Sequence, residues 1–145
     1  MTKKRKEEIL KEIVEYSQKF VGVPYKYGAK MEEAPHFFDC SSFVKYVYEQ
    51  FGFFLPRSTI LQAEFLRKTV KSLDDLREGD LLYLHGTRGY YTKKFPQGIG
   101  HVAIYLGDGR VIHADGSSKK PGVKIEKMEK VIERKKPLVV IKRVV

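Results

Sequence analysis

One cysteine and two histidines form a set that could carry out nucleophilic catalysis. Cys40 is the single cysteine of the chain and follows Asp39, a residue type that often caps a helix start. A thiol at a helix start lies at the positive end of the helix dipole, which favours thiolate. A nearby histidine would accept the thiol proton and later deliver it to the leaving amine. Cys40, His101 and His113 are therefore candidates for nucleophile, general base and orienting residue, with backbone amides at the helix start available for an oxyanion.

The histidines lie in a segment that predicts a β-hairpin, HVAIYLGDGRVIHADG. A two-residue turn at 108–109 would face Ile104 with His113 and split the apolar residues between two faces. A three-residue loop at 107–109 instead faces Ile104 with Ile112 and gathers the apolar residues on one face. Since a one-residue slip mixes the faces, burial favours the three-residue loop.

That register also decides where the histidines point. His101 and His113 then share the second face and lie diagonal to each other, with roughly 7 Å between their positions. Two imidazoles at that separation can form a hydrogen bond. Rings on opposite faces of the hairpin would contradict this prediction.

Two other interpretations of these residues stay open at this point. A lone cysteine among aromatic residues is often a small buried hydrophobe. Cys40, His101, His113 and Asp115 are all possible zinc ligands, although the chain has no CxxC or HExxH spacing to support a metal site.

The sequence pattern predicts helices in the first half of the chain and mainly strands in the second. Apolar periodicity predicts a helix over 4–20, a second from Cys40 to Gly52 capped by Asp39, and a short third one after Pro56 capped by Thr59. Short β-branched runs predict strands at 81–85, 101–106, 110–114, 123–127 and 137–145, with a helical turn near 128–135. This order predicts an α+β domain in which N-terminal helices pack on a C-terminal antiparallel sheet.

Length and composition limit the classes of protein. The 145 residues fit a single domain over 1–145, and one cysteine cannot form an internal disulfide. No apolar run approaches the roughly 20 residues that span a bilayer, and the N-terminus has no signal-peptide core. We therefore expect a cytoplasmic protein, or a mature secreted or cell-envelope chain whose signal has been removed.

The net charge of +10 is compatible with an anionic partner such as nucleic acid, membrane or bacterial cell wall. The lysines are scattered and mixed with glutamates, as expected of solvated helix faces. Because no aromatic-basic RNA-recognition motif is present, the pattern argues against nucleic-acid binding.

Five segments, in order, resemble the NlpC/P60 family of papain-like cysteine peptidases. They correspond to its Tyr-x-x-Gly-Gly, Asp-Cys-Ser-Gly, Pro-Arg-Thr-Ser-x-x-Gln, Gly-Asp-Leu and Gly-His-Val-Gly-Ile-Tyr-Leu-Gly motifs. Here they read VPYKYGAK, FDCSSFVKYVY, LPRSTILQ, REGDLLYL and GIGHVAIYLGDGRVIHA.

The resemblance implies a papain-like fold with Cys40 as nucleophile, His101 as base and acid, and His113 as orienting residue. It further implies that Tyr25, Asp39, Ser41 and Thr59 bind substrate. The implied substrate is a peptidoglycan peptide or muropeptide, cleaved between γ-linked D-glutamate and a diamino acid without a cofactor. An acyltransferase or amidase on the same fold, and a noncatalytic peptide- or glycan-binding module, are the alternatives.

The sequence departs from the family pattern at several places. Gly-Gly is Gly28-Ala29, Ser42 replaces the glycine after Asp-Cys-Ser, and the segments 25–40 and 85–100 are longer than expected. We expect Phe43 to pack in the core, and Phe37 and Phe38 to line the edge of the cleft.

Overall fold

The computed structural model describes residues 1–87, 89–117 and 119–145. Their secondary structure consists of four α-helices, six strands and two 3-10 turns (Met31–Glu33 and Leu73–Asp75). The helices are α1 (Lys3–Gln18), α2 (Cys40–Glu49), α3 (Thr59–Phe65) and α4 (Met128–Lys135). The strands are β1 (Lys68–Val70), β2 (Leu81–Leu84), β3 (His101–Gly107), β4 (Arg110–Asp115), β5 (Gly122–Lys127) and β6 (Leu138–Arg143).

The described strands form one antiparallel sheet in the order β1-β6-β2-β3-β4-β5. One face packs against α1, α2 and α3 through Leu81, Val102 and Ile112, among others. The opposite face contributes Leu82 and Ala103 to a second cluster with α4. The predicted α+β architecture is confirmed, and α4 occupies the segment where a helical turn was expected. Covering both faces explains why all four residues of β2 are buried.

The β3–β4 hairpin combines the two registers considered above. Gly107 pairs with Arg110, so the predicted three-residue loop is wrong and the turn has two residues, 108–109, both with positive φ. Ile104 nevertheless faces Ile112, as predicted. The register shifts between Tyr105 and Gly107, where a bulge adds one residue to β3. The bulge reconciles a tight Asp-Gly turn with an apolar face that stays buried.

The caps of α2 and α3 show one correct and one wrong prediction. Asp39 caps α2, because its carboxylate accepts from the Ser42 amide at 2.8 Å while the Ser42 hydroxyl accepts from the Asp39 amide at 2.9 Å. Thr59 does not cap α3. Ser58 does, accepting from the Leu61 amide at 3.3 Å, and Thr59 is the first helical residue.

The edge strand β1 was not predicted, since its three residues carry almost no periodic signal. Within the part of the chain that the structure describes, no helix is both long and apolar enough to cross a membrane.

Candidate active site

Cys40 is the first residue of α2 and is 7% exposed. Its Sγ lies 3.8 Å from the carbonyl oxygen of Gly100, the residue directly before His101. The thiol also lines a cavity of about 270 Å³ between α2, the start of α3 and the segments around Tyr25 and Tyr90. Cys40 is thus a buried residue that borders an open cavity.

The two histidines lie together, as the predicted register requires. His101 Nε2 is 2.7 Å from His113 Nδ1, and the rings meet edge to face. His113 is fully buried, and its other nitrogen, Nε2, lies 3.2 Å from Glu126 Oε1. The structure therefore contains a continuous line of hydrogen bonds from His101 through His113 to Glu126, a residue that the sequence did not point to.

His101 lines a second cavity of about 350 Å³, with Gly116, Ser117 and Lys135 on its wall. Tyr25, Tyr27 and Gly100 border both this cavity and the one that holds Cys40. The thiol and the imidazole therefore line adjoining spaces with a shared wall.

Burial dominates the proton affinities at the site. It raises the pKa of the Cys40 thiol to about 12, with a further increase from the Asp39 charge, while backbone amides of Val102 and Ser41 lower it. Burial, together with the neighbouring His113, also holds the pKa of His101 well below its ordinary value. Burial therefore acts against the thiolate that a helix start favours, and the pKa of the Cys40 thiol lies above its ordinary value.

All four residues that the resemblance assigned to substrate binding line the Cys40 cavity: Tyr25, Asp39, Ser41 and Thr59. Thr59 also donates its hydroxyl to the Ile99 carbonyl at 3.3 Å. The four residues therefore lie together around the thiol, and their role in binding substrate stays a prediction.

Arg57 belongs to the same wall and was missed as a site residue, although it stands in the LPRSTILQ segment. Its guanidinium donates to both oxygens of the Asp39 carboxylate, from Nη1 at 3.1 Å and from Nη2 at 2.6 Å. It also donates to the Ser41 hydroxyl at 2.8 Å. The ion pair holds both residues beside the nucleophile in a fixed geometry.

The buried side-chain amide of Gln62 holds the start of α2 in place. Gln62 donates to the carbonyls of Ser41 at 3.1 Å and Pro56 at 2.9 Å, and accepts from the Tyr83 hydroxyl at 3.1 Å. This network ties the start of α2 to α3 and β2. Because the network depends on tertiary contacts, the sequence pattern did not predict it.

Three possible metal ligands lie close together, but their charges are already paired. Ligand atoms of His113, Asp115 and Glu126 lie within 4.8 Å of one another. Arg134 donates to both carboxylates at 3.0 Å, and Lys135 donates to Asp115 at 3.0 Å. The described residues of this cluster thus fit an ion-pair network better than a cation site.

The 85–100 segment reaches the cleft, although Arg88 within it lies outside the described residues. Tyr90 pairs with Ile99 and borders the Cys40 cavity. The Tyr90 hydroxyl lies 2.5 Å from that of Tyr27, so the two loops beside the cavity are joined.

The phenylalanines around Cys40 are only in part where they were expected. Phe43 is buried as predicted, whereas Phe37 is 39% exposed but lines neither of the two cavities, so its place at the cleft edge stays a prediction. Phe38 is fully buried against Phe20, Phe43 and Tyr46, so its predicted place at the cleft edge is wrong. Strand-like alternation points its ring inward to the α1–α2 core.

Helices α1–α3 on one face of an antiparallel sheet, a thiol at the start of α2 and a histidine pair on the β3–β4 hairpin together match a papain-like α+β fold. The sequence profile of the NlpC/P60 family matches residues 22–142. The chain belongs to the NlpC/P60 family.

Individual relatives are similar over most of this chain. It is 35% identical over 108 residues to the Gamma-DL-glutamyl hydrolase of Bacillus subtilis, covering 74% of this chain. The match spans only 24% of the length of that relative. The NlpC/p60 domain of the peptidoglycan hydrolase SagA superposes with a TM-score of 0.67 at 30% identity, over 90% of this chain and 95% of that domain.

A second similar structure is that of a noncatalytic protein. RipD of Mycobacterium tuberculosis, a non-catalytic NlpC/p60 domain protein, has a TM-score of 0.66 at 21% identity, over 94% of this chain and 98% of that one. The fold by itself therefore does not decide between catalysis and binding.

Proposed function

We propose that this protein is a cysteine peptidase that hydrolyses amide bonds in peptidoglycan peptides. One observation carries the proposal. The thiol at the start of α2 lines a cavity that shares wall residues with the cavity lined by His101, and His101 Nε2 lies 2.7 Å from His113 Nδ1. The names of the relatives, a Gamma-DL-glutamyl hydrolase and a peptidoglycan hydrolase, support this choice of reaction.

The reaction begins with proton transfer from Cys40 to His101 as the sulfur attacks the carbonyl carbon. The oxyanion lies at the first amides of α2, those of Cys40 and Ser41. Collapse breaks the C–N bond, and His101 returns its proton to the leaving amine. Water, deprotonated by His101, then hydrolyses the thioester and restores the thiol. His113 orients His101, so its loss costs less activity than loss of His101.

The substrate is a wall peptide or a soluble muropeptide, with the acyl part in the Cys40 cavity. Because His101 must reach the leaving nitrogen, the leaving group enters the cavity that His101 lines. We propose the γ-D-glutamyl–diamino acid bond as the scissile one, which agrees with the name of the Bacillus relative. The mechanism uses no cofactor. The cytoplasmic location expected from the sequence stays a prediction.

The test is mass spectrometry of defined wall peptides digested by the wild type, Cys40→Ala and Glu129→Gln. Glu129 is exposed on α4 and serves as the control substitution. We expect cleavage at the γ-glutamyl bond by the wild type and the control, and none by Cys40→Ala. Full turnover by Cys40→Ala would reject the mechanism. Adding an amine acceptor separates hydrolysis from acyl transfer, since a transferase would yield the new amide.

A noncatalytic binding module is the second candidate, and the buried thiol with its raised pKa favours it. Retention of the whole set of Cys40, His101 and His113 favours catalysis. Binding of the same peptides without any cleavage would support the module.

A further inference from the structure

Glu126 lies on β5 in a position that brings its carboxylate to the histidine pair. It faces Val111 across β4–β5, so it is the diagonal neighbour of His113 on the same face of the sheet. The His113 side chain is fully buried and that of Glu126 is 19% exposed. The contact of 3.2 Å between His113 Nε2 and Glu126 Oε1 is therefore largely shielded from water.

This contact determines which ring nitrogens carry protons. An ionised carboxylate only accepts hydrogen bonds, so His113 Nε2 must be the donor. In a neutral imidazole the other nitrogen, Nδ1, is then an acceptor. Because that atom faces His101 Nε2 at 2.7 Å, His101 must carry its proton on Nε2. The lone pair of His101 is left on Nδ1, the nitrogen that does not face His113.

We propose that Glu126 is a positioning residue that fixes the tautomers of His113 and His101, so that Nδ1 of His101 is the base. The proposal rests on the proposed function, in which His101 accepts the thiol proton. The Glu126 charge also stabilises the cation that the histidine pair forms in that step.

Two cations of α4 hold this arrangement in place. Arg134 lies 3.0 Å from both Glu126 oxygens and also pairs with Asp115, which Lys135 holds in turn. Arg134 orients the carboxylate and leaves Oε1 directed at His113. The charged and titratable groups facing the histidine pair are Asp115 of β4, Lys124 and Glu126 of β5, and Arg134 and Lys135 of α4. On the α2 side, Cys40 contacts the carbonyl of Gly100, the residue before His101.

The direct test is nitrogen NMR of the imidazole rings in the resting protein, using long-range ¹H–¹⁵N correlations. In the wild type we expect protonated Nε2 and bare Nδ1 on both His101 and His113. A wild type with protonated Nδ1 on His113 would overturn the proposal, and this result needs neither a variant nor a substrate. Absence of peptide cleavage would reject the proposed function while leaving the tautomer result valid.

The variant Glu126→Gln supplies the second test, with Glu129→Gln as its matched control. An amide can donate or accept, so both tautomers become populated, and we expect kcat to fall about 10- to 100-fold, as for other partners that orient a histidine. KM should change little, and the acidic limb of the pH–rate profile should move to lower pH because a nearby negative charge is lost. Glu126→Asp should restore the wild-type tautomers. Loss of activity with unchanged tautomers and an unchanged acidic limb would show a merely structural role and overturn the proposal.

Discussion

The resting thiol of Cys40 should react slowly with alkylating agents, in contrast to a thiolate–imidazolium pair. Burial raises its pKa from 9.0 to about 12. The thiolate fraction at neutral pH is then about 1000-fold smaller than for an unperturbed thiol. A thiolate of higher pKa is intrinsically more nucleophilic, by about 15- to 30-fold for this difference. The net expectation is alkylation about 30- to 70-fold slower than for a free thiol, before any steric shielding.

The assay is the rate of iodoacetamide labelling from pH 6 to 9, followed by mass spectrometry. The same chain unfolded in urea gives the reference rate for an exposed Cys40. We expect the folded rate to rise about tenfold per pH unit with no plateau, because the thiol pKa lies far above this range. His101→Ala should leave the labelling rate nearly unchanged, since His101 does not hold the proton at rest. A neutral resting pair of Cys40 and His101 would be refuted by a labelling rate that reaches a plateau below pH 7 and exceeds the rate of the unfolded chain. In that case His101→Ala should abolish the fast labelling.

Three further predictions concern stability, measured by far-UV circular dichroism because the chain has no tryptophan. The His113 contact helps to lower the pKa of Glu126 from 4.5 to about 2, so its contribution to stability is complete above about pH 4.5 and is lost towards pH 2. Acid unfolding should therefore be less steep in Glu126→Gln, and an identical profile would contradict the ion pair. Gln62→Ala should lower the free energy of unfolding in urea by about 1–3 kcal/mol, because buried partners such as the Tyr83 hydroxyl lose their hydrogen bonds; an unchanged midpoint would exclude this network. Gly109→Ala should cost about 1 kcal/mol, since residue 109 has a φ of 71°, and no loss would contradict the turn geometry.

Local signals in the sequence predicted the elements that carry the site. Asp39 is a cap of α2 because its side chain acts within three residues, and apolar alternation alone placed Ile104 opposite Ile112. Errors occurred where two local solutions differ by one residue. Ser58 and Thr59 can both cap a helix, and a bulge supplies the same register as a longer loop.

Features that depend on distant contacts could not be predicted from the sequence pattern. Arg57 and Glu126 are ordinary charged residues until the fold brings them to Asp39 and His113. The raised pKa of Cys40 likewise follows from burial by the whole domain, whereas the helix position visible in the sequence predicts the opposite direction.

The bulge in β3 has a consequence for insertions and deletions in this hairpin. Removing Leu106 would still leave Gly107 opposite Arg110 and Ile104 opposite Ile112, so the strand pairing survives the loss of that residue. Removing Ala103 would instead shift His101 by one position along β3. Its ring would then point to the opposite face of the sheet from His113. Near the turn, a change in the length of β3 would therefore alter the packing of the buried Leu106 but not the strand pairing, whereas a change between His101 and Ile104 would separate the two histidines.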